Sequence, residues 1–306
     1  MSRDRESKRS EPGASPLTAD GVATSPLSAG LWLVATPIGN ASDITLRAID
    51  VLRRADVLAA EDTRRTRQLL DIHGIALNGR PLVSYHDRNG AARRPQILAW
   101  LAEGKSVAYA SDAGTPLIAD PGYRLAEATR EAGHAVHAAP GASAVLTALS
   151  LSDLPTDRFF FAGFLPPKSA ARKKALAELA SVPATLIFYE SPRRAAAALA
   201  DMAEILGAGR DAVLARELTK KFEEIQRDSL EGLAARLSSN DPPKGEVVLL
   251  VGPPGADARA DPEEVDALLA AALETQGTKD AAREVAARTG LPRREVYARA
   301  LALSGS

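Results

Sequence analysis

Three short loops carry the side chains and glycines best suited to holding a small molecule. They are residues 36–40 (Thr-Pro-Ile-Gly-Asn), 111–116 (Ser-Asp-Ala-Gly-Thr-Pro) and 140–144 (Pro-Gly-Ala-Ser-Ala). Glycine lets a backbone come close to a ligand, and Asp112 can accept a hydrogen bond from a ribose hydroxyl or an amine. Each loop follows a short apolar run that is typical of a β-strand. The pattern therefore predicts a small-molecule crevice at the ends of three strands.

The segments around these loops alternate between apolar runs and helix-like periodicity. Strands are predicted at 31–35, 57–61, 82–86, 106–111 and 135–139, and helices at 44–54, 62–73, 92–102, 123–131 and 142–151. Apolar strands separated by helices are typical of a largely parallel sheet that is covered on both faces. Right-handed crossovers would bring all the strand carboxyl ends, and with them the three loops, to one edge of that sheet.

A second alternating unit follows a linker-like stretch at 153–157. Strands are predicted at 159–164, 185–190, 212–216 and 246–251, with 222–228 pairing antiparallel to 212–216, and helices at 168–179, 192–206 and 230–237. The fold class is therefore α/β with two domains. The predicted organisation is a disordered tail at 1–29, an N-terminal α/β domain at 30–153, a mixed α/β domain at 154–254 and a helical extension at 262–306.

The helical extension has the pattern of a helix-turn-helix. Helices predicted at 280–288 and 293–302 are joined by a Thr-Gly-Leu-Pro turn at 289–292. Residues 279–301 contain six basic and three acidic side chains, a local charge of +3, whereas the whole chain has a formal charge of -1. A nucleic-acid contact, a dimer contact and a ribosomal-protein contact are all compatible with this pattern.

Composition excludes several classes of site. The chain has no cysteine, so disulfides and zinc–thiolate sites are excluded, and its four histidines lack the spacing of a metal motif. We therefore predict no protein-bound metal. The first residues are charged and lack the apolar segment of a secretory signal, which predicts a cytosolic protein.

Five motifs together resemble the tetrapyrrole-methylase-like superfamily, and within it the ribosomal RNA small subunit methyltransferase I family. They are 36–40, Glu-Asp-Thr-Arg at 61–64, 111–116, 140–143 and Phe-Tyr-Glu-Ser-Pro-Arg at 188–193. The resemblance covers about residues 30–252, and the helical extension also fits this family. Relatives that act on tetrapyrroles usually carry Gly-Asp-Pro where this chain has Ser-Asp-Ala at 111–113, which favours the RNA branch.

The resemblance implies two α/β domains with S-adenosylmethionine (SAM) in the cleft between them, and a homodimer. It also implies methylation of the ribose 2′-hydroxyl of a decoding-site cytidine in 16S ribosomal RNA, within the small ribosomal subunit. Candidate cofactor-binding residues are Pro37, Ile38, Gly39, Asp112, Ala113, Gly114, Thr115, Ser143, Ala144 and Tyr189.

A ribose hydroxyl is a poor nucleophile, so a base or a charged partner should assist it. Candidate catalytic residues are Glu61, Arg64, Glu190 and Lys220. Candidate RNA-binding residues, chosen because phosphate contacts are electrostatic, are Arg65, Arg67, Lys168, Arg172, Lys173, Lys174, Arg293 and Arg294.

Ordinary structural roles compete with each of these assignments. Asp62 could cap a helix, Glu61 and Arg64 could form a structural ion pair, and Tyr189 could be a core residue. Two other functions also stay open. One is methylation of a tetrapyrrole, and the other is an RNA-binding module with a vestigial pocket.

Overall fold

The structure is a computed structural model that describes residues 26–118, 122–239, 244–254, 262–289, 291 and 293–304. Contacts within the chain divide it into two compact units, one ending at Ser143 and the other beginning at Ala144. The division therefore falls before the predicted linker at 153–157, because the helix that begins at Ala144 contacts a strand of the second unit. Residues 1–25 of the predicted tail lie outside the described residues, while Ser28 accepts a hydrogen bond from the Trp32 indole at 2.9 Å.

The first unit alternates strands and helices as predicted. Its elements are β1 (Gly30–Val34), α1 (Leu46–Arg54), β2 (Val57–Ala60), α2 (Thr63–Ile72), β3 (Leu82–Ser84), α3 (Gly90–Ala102), β4 (Ser106–Ala110), α4 (Tyr123–Glu131) and β5 (Val136–Ala139). The five strands are ordered β3-β2-β4-β1-β5, and all of their pairings are parallel. The prediction of a parallel sheet is confirmed.

Helices cover both faces of this sheet. Trp32 and Val34 of β1 pack with α1 and α2, whereas Leu31 and Leu33 of the same strand pack with α3 and α4. Successive side chains of a strand point to opposite faces, so a strand that is apolar at every position needs cover on both sides. This is why β1 and β4 are buried along their whole length.

The second unit holds a mixed sheet ordered β6-β7-β10-β8-β9. Its elements are α5 (Ala144–Ser150), β6 (Phe159–Phe164), α6 (Ser169–Ala177), β7 (Thr185–Glu190), α7 (Pro192–Leu206), β8 (Asp211–Arg216), β9 (Glu224–Ser229), α8 (Leu230–Ser238) and β10 (Val247–Val251). Strand β6 is parallel to β7, and the other pairings are antiparallel, including the predicted pairing of β8 with β9. Helices α6, α7 and α8 share one apolar core with this sheet.

The extension consists of α9 (Pro262–Leu273), α10 (Thr278–Thr289) and α11 (Arg293–Ser304). The three helices surround a core of their own, which includes Leu269, Val285 and Val296. The two predicted helices correspond to α10 and α11, while Gly290 and Pro292 of the predicted turn lie outside the described residues.

Candidate functional site

Strand order brings the three predicted loops together. Strand β1 lies between β4 and β5, so the loops that follow these strands are neighbours at the carboxyl edge of the first sheet. The backbones of Thr36 and Gly114 exchange two hydrogen bonds, of 3.0 and 2.9 Å, and the Thr115 hydroxyl donates to the Ala142 carbonyl at 3.1 Å. The loops therefore form one interlocked corner, at the edge where open α/β sheets commonly bind ligands.

The conformation of this corner depends on Gly114. Its φ is +76°, and a Cβ atom there would lie 3.3 Å from Ile38 Cγ2 and 3.6 Å from the Ala142 carbonyl oxygen. The Ser111 hydroxyl donates to the Gly114 carbonyl at 2.7 Å and fixes the same turn. Glycine adopts positive φ without strain, so the second loop can press against the other two only with glycine at this position.

The turn between β2 and α2 is tied to the same corner through Asp112. One Asp112 carboxylate oxygen accepts the Asp62 backbone N–H at 2.8 Å, and the other lies 3.8 Å from the Arg65 guanidinium. Asp62 is the N-cap of α2, so the predicted alternative role of this residue as a helix cap is confirmed. Hydrogen bonds from the Arg64 side chain and backbone lower the pKa of Asp62 below its usual range.

Arg64 is thus held by Asp62, at 2.7 Å. The suggested ion pair between Glu61 and Arg64 stays a prediction. The Arg64 side chain is 89% exposed, so its guanidinium stays accessible from solvent.

A pocket of about 280 Å³ lies between the loop corner and α2. One wall comes from the first two loops and includes Pro37, Gly39 and Asp112, all predicted cofactor residues. The other wall is the face of α2. The sequence predicted only Arg65 of this wall, as an RNA contact, because the other residues look like an ordinary amphipathic helix. The α2 wall consists of Arg65, Thr66, Gln68, Leu69 and Ile72.

In the second unit, Glu190 ends β7 with a fully buried side chain. One of its carboxylate oxygens accepts from the Ser191 backbone at 2.7 Å and from the Arg194 guanidinium at 2.8 Å. The other is buried without a hydrogen-bond partner among the described residues. Arg193, the last residue of the fifth motif, is exposed, and Arg194 makes the contact with this carboxylate.

Lys220 lies in the turn between β8 and β9, where Glu217 and Glu246 hold its ammonium at 2.8 and 3.0 Å. Burial lowers the pKa of Lys220, but the hydrogen bonds to the two carboxylates outweigh burial, and the net shift is upward. Glu217 adopts a positive φ of 51°, and a side chain at Gly245 would overlap its carboxylate. The turn therefore holds a permanent cation in a fixed place.

Tyr189, the residue before Glu190 on β7, is half-buried between aromatic neighbours. Its ring lies 4.8 Å from the Phe161 ring and 5.5 Å from the Phe164 ring. Burial, followed by the charge of Glu246, raises the pKa of its hydroxyl. The structure accounts for Tyr189 as a packed residue, and its role in cofactor binding stays a prediction.

The predicted RNA-binding residues differ in how accessible they are. Arg65, Arg67, Lys168, Lys174, Arg293 and Arg294 are exposed, whereas Lys173 is half-buried and pairs with Glu204 at 2.6 Å. Arg172 is only 4% exposed, and its guanidinium bonds the Asp201 carboxylate at 2.6 Å. The prediction for Arg172 is wrong, because a buried and neutralised guanidinium cannot reach a phosphate.

Across the residues that the structure describes, no three His, Asp or Glu side chains are grouped as they would be to hold a metal ion. Over those same residues, no helix combines the length and apolar character needed to cross a membrane.

Comparison with known proteins identifies the family of this chain. The family model of Tetrapyrrole (Corrin/Porphyrin) Methylases matches residues 30–234, and that of the RsmI C-terminal HTH domain matches residues 259–304. A Mesorhizobium japonicum protein called "Ribosomal RNA small subunit methyltransferase I" is 49% identical, over 91% of this chain and 93% of its own. The chain belongs to the ribosomal RNA small subunit methyltransferase I family. The Escherichia coli O157:H7 protein of the same name is 48% identical, over 79% of this chain and 84% of its own.

Solved structures agree on the fold of this family. A cobalt precorrin-4 methyltransferase of cobalamin biosynthesis superposes with a TM-score of 0.56 at 17% identity, covering 72% of this chain and 94% of its own. A uroporphyrin-III C-methyl transferase from Thermus thermophilus, complexed with S-adenyl homocysteine, gives a TM-score of 0.53 at 19% identity, covering 73% and 97%. The chain therefore has the tetrapyrrole-methylase fold with a helical extension, as predicted.

Proposed function

We propose that this protein uses SAM to methylate the ribose 2′-hydroxyl of a decoding-site cytidine in 16S ribosomal RNA, acting on the small subunit as a homodimer. The observation that carries the proposal is the near-complete coverage at 49% identity by a protein named for ribosomal RNA small subunit methylation. The exposed arginines of α2, beside the loop corner, are the side chains that an RNA backbone requires.

The loop corner has a donor set that fits SAM. Asp112 can accept a further hydrogen bond from a ribose hydroxyl. One of its carboxylate oxygens accepts only the Asp62 N–H, and the other lies 3.8 Å from the Arg65 guanidinium. Gly114 leaves no side chain between Ile38 and the third loop. When bound, SAM would supply an activated methyl group with a good leaving group. The predicted residues of the three loops, with Tyr189, would hold it.

Two side chains of the second unit are suited to different tasks. Lys220 stays protonated because its pKa is raised, so it would act as a fixed positive charge and not as a base. Glu190 has one carboxylate oxygen without a partner among the described residues, so that oxygen can still accept a hydrogen bond from a hydroxyl. Glu61 and Arg64, at the start of α2, remain the candidates of the first unit.

The test is methyl transfer from labelled SAM to small-subunit particles isolated from a strain that lacks the enzyme. Digestion of the labelled RNA should yield 2′-O-methylcytidine from a single position. An Asp112→Ala variant should bind SAM weakly and leave the particles unlabelled. Binding of particles by the wild type without any labelling would instead favour an RNA-binding module, and a visible chromophore that copurifies would favour tetrapyrrole methylation.

A further inference from the structure

We infer that the α2 wall of the pocket is the subsite for the acceptor nucleotide, with Gln68 reading the edge of the target base. This inference rests on the proposed function. It assigns a role to residues that the sequence motifs do not mark, since α2 beyond residue 64 lies outside the five motifs.

The size of the pocket is the first argument. At about 280 Å³ it lies at the lower end of the range for small-molecule sites, about 300–1,000 Å³. Such a space suits a nucleoside and is small for the whole of SAM, which joins an adenosine to a complete amino acid. The donor would therefore lie along the loop wall and extend beyond the pocket, and we assign the α2 wall to the acceptor.

Charge is the second argument. Arg65 lines the pocket with a 62% exposed side chain, and the nearest carboxylate, on Asp112, is 3.8 Å away. Arg67, exposed on the same helix, adds to the positive potential, whereas Asp62 compensates the charge of Arg64. A sulfonium donor is repelled by these cations, whereas a nucleotide phosphate is attracted by them.

The chemistry of the wall is the third argument. Leu69 and Ile72 offer apolar surface to the face of a base, and Ile72 is 57% exposed although it lines the pocket. Gln68 lies one residue before Leu69, and its amide has no hydrogen-bond partner in the part of the chain that the structure describes. An amide offers both a donor and an acceptor, which is what the edge of a nucleobase requires.

The geometry of the corner supports the same assignment. Asp112 accepts the backbone N–H of Asp62, the residue that caps α2, so the α2 wall is fixed relative to the loop wall. Sequence-specific RNA recognition commonly reads unstacked bases, through contacts to the base face and hydrogen bonds to the base edge. A ribose held here would lie beside the loops that we assign to the methyl donor.

The experiment compares Gln68→Ala and Ile72→Ala with Asp71→Ala, a control on the same helix that is exposed and does not line the pocket. Steady-state methylation of small-subunit particles and calorimetric titration of SAM are measured for each. Gln68→Ala should lower kcat/KM for the particles by about tenfold, with the SAM Kd unchanged. Ile72→Ala should show the same pattern, and Asp71→Ala should match the wild type.

Two results would overturn the inference while leaving the proposed function intact. One is a SAM Kd that rises in Gln68→Ala by the same factor as the loss of kcat/KM, because the wall would then belong to the cofactor site. The other is activity of both pocket variants equal to that of Asp71→Ala. Absence of labelling by the wild type would overturn the proposed function and this inference together.

Discussion

Replacing Gly114 by alanine tests whether the loop corner is both a structural device and the methyl-donor site. The backbone at Gly114 has φ +76°, where a non-glycine residue costs about 1–2 kcal/mol. The new methyl group would also lie 3.3 Å from Ile38 Cγ2, and the repacking adds about 1 kcal/mol. The expected loss in the free energy of unfolding is therefore about 2–3 kcal/mol.

Gly104 provides a matched control. It has nearly the same backbone conformation, φ +78°, but an added Cβ would have no heavy atom within 4 Å. Gly104→Ala should therefore show the backbone strain alone, about 1–2 kcal/mol. The difference between the two variants isolates the crowding within the corner.

The assays are urea unfolding of both variants and calorimetric titration of SAM well below the unfolding transition. Gly114→Ala should displace the loop and raise the SAM Kd by about tenfold, which is a loss of about 1.4 kcal/mol in binding free energy. Gly104→Ala should leave that Kd unchanged. Equal SAM affinity in the two variants, or equal losses of stability, would refute the reasoning.

Three further predictions concern the second unit. Asp201→Ala leaves the Arg172 guanidinium buried without its partner and should lower the free energy of unfolding by about 3–5 kcal/mol in urea titrations; a loss below about 1 kcal/mol would contradict it. The hydrogen bond from Lys220 lowers the pKa of Glu217, so its stabilisation is present above the unfolded value of 4.5 and is lost as pH falls further. In acid titrations followed by circular dichroism, Glu217→Gln should make the free energy of unfolding depend less on pH in this range. An unchanged pH profile would argue against the prediction. Lys174→Ala should weaken particle binding and reduce the salt-dependence slope by about 1, whereas an unchanged slope would remove Lys174 from the RNA contacts.

The sequence was sufficient for the order of the elements and for the loop corner. Strands such as β1 and β4 are apolar at every position, and this pattern is compatible only with burial on both faces. The glycines and Asp112 stand directly after those strands, so the parallel topology was enough to predict that their loops meet. Local patterns of this kind depend on neighbours in the chain, and the sequence contains them directly.

Contacts between distant residues were decided only by the tertiary structure. Arg172 looked like part of a basic RNA-binding run, but packing of α6 against α7 buries it on Asp201, twenty-nine positions away in the chain. In the same way, Arg194 and not Arg193 reaches Glu190, because helical spacing after the turn selects the residue four positions along. The pocket beside α2 also exists only once β2 and β4 are adjacent, since Asp112 then holds the start of the helix. Charge and hydropathy follow from residue type, whereas partners and cavities follow from which surfaces the fold brings together.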